Sequence, residues 1–340
     1  EKFNSNGFEA FIVGGCVRDS LLNKKPQDYD ITTNAFPEKI EELFDKTIPT
    51  GIKHGTVTVL IDKNPYEVTT YRVDGEYLNN RKPKDVKFVS NIEEDLSRRD
   101  FTINAMAYSP YLGFKDCFNG KEDLKNKLIR CVGDPDKRFS EDALRMLRAI
   151  RFSCQLGFKI DELTYLAIKE NYKLIKNISI ERIRDELCKI LISNNPCDGL
   201  NLLKDTGILE IIIPEIHSLI GYTPLCNNHN RDVFNHTLNV INNTSSNDLI
   251  LRFYRRLQKN LLGSMPNILR QVSAGGNASI MVSNLIWPSP REYSILDHIP
   301  FIDAISLEAP FITYPSKNTR DGIFLETSEN PLSGSHINSE

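Results

Sequence analysis

No run in the 340-residue chain approaches the roughly 18 apolar residues needed to cross a bilayer. A membrane role is therefore not expected. The N-terminus, Glu1 to Phe11, has no basic segment leading into an apolar run, so no export signal is expected. It also lacks an initiating Met, so the sequence is expected to begin inside its gene. Paired cysteines are missing too. The seven present (Cys16, Cys117, Cys131, Cys154, Cys188, Cys197, Cys226) are odd in number and contain no CxxC, which argues against a zinc or redox motif and for reduced thiols in the cytoplasm. A large excess of charge of one sign is missing as well. A formal net charge of -3 excludes a strongly basic nucleic-acid binder overall, while leaving room for local Lys and Arg clusters that grip phosphates.

What is present suits an ordinary soluble protein of two or three domains: 40% hydrophobic and 26% charged residues over a length that can bury sizeable cores. The first part reads as α+β. An apolar strand (Ala10 to Val13) meets a Gly-Gly turn, then a short helix (Val17 to Leu22), a strand (Tyr29 to Thr33) and a Pro-initiated helix (Pro37 to Phe44). Two alternating runs, Thr56 to Ile61 and Tyr66 to Tyr71, read as a hairpin split by Asp62-Lys63-Asn64-Pro65. The polar segment Asp74 to Lys87 shows no period and reads as a mobile loop. Beyond Asp136 the period becomes helical, over Ala143 to Phe152, Leu163 to Lys176, Ser179 to Ile192 and Cys197 to Thr206. After about Leu251 little periodicity is sustained.

One constellation points to phosphate chemistry. Gly14-Gly15-Cys16-Val17-Arg18-Asp19 is followed nine residues later by Asp28-Tyr29-Asp30. Glycines between a strand and a helix let backbone N–H groups approach a phosphate, and the helix N-terminus adds positive potential there. On a strand, residues i and i+2 share a face, so Asp28 and Asp30 are expected to project two carboxylates toward divalent cations. Such ions favour in-line attack of a hydroxyl on an α-phosphate. Glu67, expected on a neighbouring strand with Tyr66 and Val68 facing the other way, adds a third acid. A Gly-Gly turn alone is also a plain turn, and an Asp-x-Asp is also a solvated strand end. Likewise, Glu141 four residues before Arg145 makes an i,i+4 pair, and with Asp142 and Arg148 it is expected to fall on neighbouring turns of one helix.

Six segments occur in order: GGCVRDSLL, the DYD of PQDYDITT, RRDFTINAMAY (Arg98 to Tyr108), DCFNGKEDLKNKLIR (Asp116 to Arg130), EDALRMLRAIRF (Glu141 to Phe152) and SIERIRDEL (Ser179 to Leu187). Together, over roughly residues 8 to 250, they resemble the class II tRNA nucleotidyltransferase (CCA-adding enzyme) and bacterial poly(A) polymerase family of the polymerase β-like superfamily. The resemblance implies a nucleotidyltransferase head with a small mixed sheet, residues 1–136, and an all-α neck and body, residues 137–226, carrying a nucleotide template and an RNA-binding surface. It implies addition of C, C and A to the 3′ end and acceptor arm of tRNA from CTP and ATP, with Mg²⁺ and without a nucleic-acid template. Poly(A) synthesis or A-addition alone is the alternative, and a catalytically impaired RNA-binding protein is a reading of another class.

Carried over residue by residue, the resemblance makes Asp28 and Asp30 metal ligands, with Glu67 beside them as a catalytic acid. Gly14, Gly15, Arg18 and Asp19 become the phosphate-binding signature. Arg99 and Asp100 become readers of the ribose 2′-hydroxyl. Asp142 and Arg145, with Arg148, become the protein template for the base, Asp accepting from an exocyclic amino group and Arg donating to ring acceptors. Asp116, Gly120 and Asp123 match a hinge segment. Asp74 through Pro83 match a flexible loop associated with A addition, and Ser179, Glu181, Arg182, Arg184 and Glu186 match a neck element of structural role. Residues 227–252 resemble the opening of an HD-type helical segment in which His229 and His236 begin a metal set, though the expected His-Asp dyad is missing. That segment raises a third reading, a phosphohydrolase. Residues 253–340 read as a divergent or disordered tail.

Overall fold

The computed structural model describes residues 1–75, 77, 78, 80, 82–222 and 232–242. The expected tail and His229 lie outside the described residues, as do Glu76, Asn79 and Arg81 of the expected loop.

A seven-stranded mixed sheet forms from β1 (Ala10–Val13), β2 (Asp30–Thr33), β3 (Thr47–Gly51), β4 (Thr56–Ile61), β5 (Asn64–Thr70), β10 (Met106–Ser109) and β11 (Gly113–Asp116), in the order β11-β10-β1-β2-β5-β4-β3. Only the β2–β5 pair is parallel. The β4–β5 hairpin closes at Ile61↔Asn64. Its two loop residues, Asp62 (φ 50) and Lys63 (φ 68), both take the left-handed conformation that matches the strand twist. Small antiparallel ladders join β6 (Arg72–Asp74) to β9 (Val86–Phe88) and β7 (Tyr77–Leu78) to β8 (Lys82–Pro83). The segment expected as a mobile loop is thus built of paired strands. Strands of two or three residues are too short to display an alternating period.

The helices are α1 (Lys2–Ser5), α2 (Gly15–Leu21), α3 (Pro37–Leu43), α4 (Ile92–Ser97) and α5 (Gly120–Lys125), then α6 (Pro135–Glu141), α7 (Leu144–Leu156), α8 (Glu162–Asn171), α9 (Ile180–Leu191), α10 (Pro196–Asp205), α11 (Ile208–Ile212), α12 (Pro214–His217) and α13 (Val233–Asn242). None of the described helices is long and apolar enough to cross a membrane. Gly14 (φ 77) sits at the N-cap of α2, so β1 turns straight into the helix through a conformation that favours glycine. Gly157 (φ 70) ends α7 in the same way.

Side-chain alternation splits the sheet into two faces. Ile31, Val57, Val59 and Val68 pack with Phe3 and Ile40 on one. On the other, Phe11, Val13 and Ala107 pack with Ile92 and Leu96 of α4, and Tyr71 and Val132 complete that cluster. A third and larger core runs from Cys16 and Val17 of α2 through Phe101, Ile103, Met106 and Phe139 into α7, α9 and α10. A two-stranded parallel ladder, β12 (Leu128–Ile129) with β13 (Lys159–Ile160), also joins the regions on either side of residue 136. Sheet and helices therefore hold their side chains at fixed mutual positions, and the candidate site is built along that seam.

Candidate active site

β1 and β5 flank β2, and Asp30 is the first residue of β2. Its backbone pairs with Val13 on one side and Glu67 on the other. Neighbours in register point to the same face, so the Glu67 carboxylate stands beside that of Asp30. Burial raises the Asp30 carboxyl above its ordinary range, and the Asp28 carboxylate pushes it further, opposed by Arg99 and reinforced by Glu67. Asp28 corrects the strand expectation. β2 starts at Asp30, because its neighbours end there: β1 turns away at Gly14 and the β5 pairing stops at Glu67. Asp28 and Tyr29 have no ladder partner, and Asp28 acts on Asp30 from an irregular, exposed segment rather than from the same strand face.

Among the described residues, no group of three or more His, Cys, Asp or Glu is assembled to hold a metal ion. A small hard cation does not need one. Mg²⁺ is usually held by one or two carboxylates and completed by substrate phosphates and water. Two or three oxygen-bearing side chains whose mutual repulsion is only partly offset by Arg99 fit that chemistry.

Gly14 adjoins these acids. A side chain there would meet the Arg99 guanidinium at 3.0 Å and Asp30 Oδ2 at 3.9 Å. Arg99 Nε is buried and has no partner among the described residues, while Nη2 lies 3.5 Å from Asp95. The glycine turn, one arginine with an unused donor and the strand acids thus face one small volume. Arg18, buried on α2, stands beside the second glycine of the turn, where a side chain on Gly15 would meet its Nη2 at 3.6 Å. It holds Asp19 at 2.8–2.9 Å and donates from Nη1 to Asn104 Oδ1 at 2.7 Å.

Asp100 is more constrained than a free ribose reader. Oδ1 accepts from Phe101 N (2.8 Å) and Asn104 Nδ2 (3.2 Å), and Oδ2 accepts from Arg148 Nε (2.8 Å) and Nη2 (2.6 Å). Four donors fill the four lone-pair positions of one carboxylate. Despite the cost of burial, Arg148 beside it holds the Asp100 carboxyl down at about 2. Asn104 therefore bridges Arg18 to Asp100 and fixes a chain of contacts from α2 to α7. Arg18, Arg148 and Arg151 also surround the Phe152 ring, with guanidinium carbons 5.1, 5.4 and 4.0 Å from its centroid.

The expected template residues do not share one helix. α6 ends at Glu141, and Asp142 is extended (φ -137, ψ 103) before α7 begins. Asp142 interrupts the helical run, and its Oδ1 accepts from Leu144 N, the first residue of α7, at 3.1 Å, a local bond that competes with helix continuation. The same carboxylate receives Arg182 of α9 at 3.3 and 2.8 Å. Arg145 Nη1 donates to Glu141 Oε2 at 2.7 Å, and Nη2 donates to the Arg98 carbonyl at 2.9 Å. The β7–β8 turn reaches this junction. Asn80 accepts from Ala143 N at 3.1 Å and from Asn177 at 2.8 Å, and donates to the Ser140 carbonyl at 2.5 Å.

The expected hinge residues brace the site from below. Both Asp116 oxygens accept from the first amides of α5, Gly120 N and Lys121 N. Asp123 accepts from Thr102 Oγ1 at 2.7 Å, in the turn that carries Asn104. Among the neck residues, Glu186 is 4% exposed and pairs with Arg151 at 2.5 Å. His236 lies on α13, away from these acids in sequence and outside any metal group. Sequence reasoning missed Asn104, Asp123's partner Thr102, and above all Asp95, which is 0% exposed in α4. The visible signal for Asp95 was its spacing to Arg98 and Arg99, three and four residues on.

The family described as "Poly A polymerase head domain" matches residues 10–130, and that described as "Probable RNA and SrmB- binding site of polymerase A" matches residues 157–220. The CCA-adding enzyme of Lactobacillus helveticus is 54% identical over 204 residues, 60% of this chain and 51% of that protein. That of Enterococcus faecalis is 51% identical over 199 residues, 58% of this chain and 49% of that protein. The chain spans about half the length of the curated relatives it matches. The crystal structure of Bacillus stearothermophilus CCA-adding enzyme in complex with CTP superposes with a TM-score of 0.63 at 33% identity, over 91% of this chain and 76% of that one. A tRNA nucleotidyltransferase complexed with a primer tRNA and an incoming ATP analog gives 0.54 at 26% identity, over 84% and 89%. By its sheet, its ordered motifs and these similarities, the chain belongs to the family of class II CCA-adding enzymes and poly(A) polymerase heads.

Proposed function

We propose that the chain carries out CCA addition: transfer of CMP, CMP and AMP from CTP and ATP to the 3′ end of tRNA in the cytoplasm, with release of pyrophosphate. The observation that carries this reading is the meeting of Asp30 and Glu67, in register on adjacent strands, with Gly14 and the partly unsatisfied Arg99. Residues 1–136 supply the transfer chemistry, and residues 137–226 the base-reading and RNA-binding surface.

In this reading the Gly14-Gly15 turn lets the triphosphate approach the backbone, and Arg99 donates to it. Asp28 and Asp30 would hold Mg²⁺, with Glu67 as the supporting acid, and the ion would supply polarisation of the attacking hydroxyl and charge neutralisation on the leaving pyrophosphate. The tRNA 3′ oxygen forms a bond to the α-phosphorus as the bond to the β-phosphate bridge breaks. Asp142 and Arg145 read the base. Arg145 keeps Glu141 as its anchor, and an exocyclic amino group takes over one of the Asp142 lone pairs that Arg182 fills in the free protein. Arg148 holds Asp100 beside the ribose, and a ribose hydroxyl exchanges with one of the four donors there.

Incubating the protein with tRNA lacking its terminal triplet and each labelled NTP tests the reading. Ordered incorporation of two C residues and one A is expected, and homopolymer growth from ATP alone would redirect it to poly(A) synthesis. Binding of tRNA with no incorporation from any NTP would leave an RNA-binding protein instead.

A further inference from the structure

Asp95 belongs to none of the motifs that carry the nucleotide chemistry, yet the site converges on it. Its side chain is completely buried beneath α4, against the face of the sheet that bears Asp30. Oδ1 accepts from Arg98 Nε at 3.0 Å, from Arg98 Nη2 at 2.7 Å and from the Arg72 amide at 3.3 Å. Oδ2 lies 3.4 Å from Thr32 Oγ1 and 3.5 Å from Arg99 Nη2. Thr32 is two residues along β2 from Asp30 and on the same face. Arg98 in turn presents its carbonyl to Arg145 at 2.9 Å. One carboxylate therefore ties down the strand of the metal-binding acids, the arginine beside Gly14 and, through one backbone step, the arginine of the base template.

A carboxylate this buried would cost more than it returns if it served α4 alone, since Asn91 already caps that helix. Charge-assisted bonds from a planar guanidinium fix direction as well as distance. Losing the Asp95 charge would leave Arg99 free to swing from the glycine turn while the chain stays folded around Leu96 and Ile92.

We infer that Asp95 is a positioning residue for nucleotide binding, acting through Arg99 to hold its guanidinium toward the sugar and phosphates that CTP and ATP share. This rests on the proposed transferase reading. Because Arg99 faces the part common to both nucleotides, weakening it should affect CTP and ATP alike and leave the choice between them unchanged.

The test compares wild type, Asp95→Asn, Arg99→Ala and the double variant. CTP and ATP are titrated onto each protein, and KM and kcat are measured with tRNA lacking CCA for CTP and with tRNA ending in CC for ATP. Asp95→Asn should raise Kd and KM for both nucleotides about tenfold, the order expected for one charge-assisted contact, with the CTP-to-ATP ratio unmoved. The double variant should match Arg99→Ala alone. Unchanged Kd and KM, or effects that add, would overturn the inference, as would a loss of active fraction with KM intact. Should Asp95→Asn fail to fold, Asp95→Glu keeps the charge and displaces it by one methylene, and the same rise or its absence decides. Wild-type protein that binds both nucleotides without extending tRNA overturns only the transferase reading; wild-type protein that binds neither overturns both.

Discussion

Two sets of carboxylates in this molecule live under opposite rules. Those on the strands, Asp30 with Glu67 and nearby Asp28, repel one another, and burial plus the Asp28 charge push the Asp30 carboxyl upward. Those on the loops and helices are each matched to a guanidinium: Asp100 with Arg148, Asp142 with Arg182, Glu141 with Arg145, Glu186 with Arg151. Asp100 is held at about 2. The same chemical group is thus kept in need of a cation in one place and satisfied in the other. A site that takes up a metal needs the first condition, and a site that must hold its shape while substrates change needs the second.

The largest effect separating the two sets should come from removing the unmatched acids. Asp28→Ala with Asp30→Ala should lower single-turnover incorporation by about a thousandfold or more, several kcal/mol of lost charge stabilisation, while tRNA binding in a gel-shift assay is kept. Retained incorporation would take both residues out of the mechanism. Removing a matched partner should act on stability first. Arg148→Ala strands the buried Asp100 charge and should cost about 2–3 kcal/mol in urea unfolding. That is less than a fully buried pair, because the Arg148 side chain is 34% exposed. The pH dependence carries the sign. A carboxyl depressed to about 2 in the folded state stabilises above its unfolded pKa, near 4, and that stability fades as pH falls through the window down to about 2. In Arg148→Ala the acid limb of stability against pH should flatten.

A smaller effect should come from the brace under both sets. A Cβ on Gly120 would lie 2.2 Å from the Thr102 carbonyl oxygen. Backbone must therefore move, and Gly120→Ala should cost about 1–2 kcal/mol and disturb the turn that holds Asn104 between Arg18 and Asp100. Unchanged thermal unfolding with unchanged nucleotide affinity would show that the turn tolerates the shift.

Much of the strand-borne half was legible in the sequence. Ala10–Val13 and Thr56–Ile61 form the strands their alternation implies, and the Gly14-Gly15 turn and Glu67 fall where local pattern puts them. Asp28 was misread because strand length is set by neighbours, and nothing local says that β1 turns away opposite Asp30. The matched set was harder to read. Asp142 looks helical by its neighbours' spacing, but its side chain accepts from the Leu144 amide and its extended backbone breaks the run. Its partner Arg182 lies forty residues on. Asp95 was passed over because its one signal, an Asp followed by Arg at three and four residues, is also that of a solvated helix surface, and only tertiary packing buries it.

The finest test of the comparison makes one substitution at two sites. Asp30 is unfavourably ionised in the folded protein, so replacing it with Asn removes a penalty. At pH 7 Asp30→Asn should unfold at a slightly higher temperature than wild type. The gain should stay below about 1 kcal/mol, since Asp30 is only partly withdrawn from water and solvent screens its neighbours. The sign follows from the raised carboxyl: the folded state is penalised while Asp30 is charged, and the penalty vanishes once pH falls below the ordinary carboxylate range, where wild type and variant should melt together. The same substitution on the matched side, Asp100→Asn, should lower stability at pH 7, because it leaves Arg148 without its charge. Opposite signs from one chemical change would separate acids kept for a cation from acids kept for the scaffold; equal signs would erase the distinction.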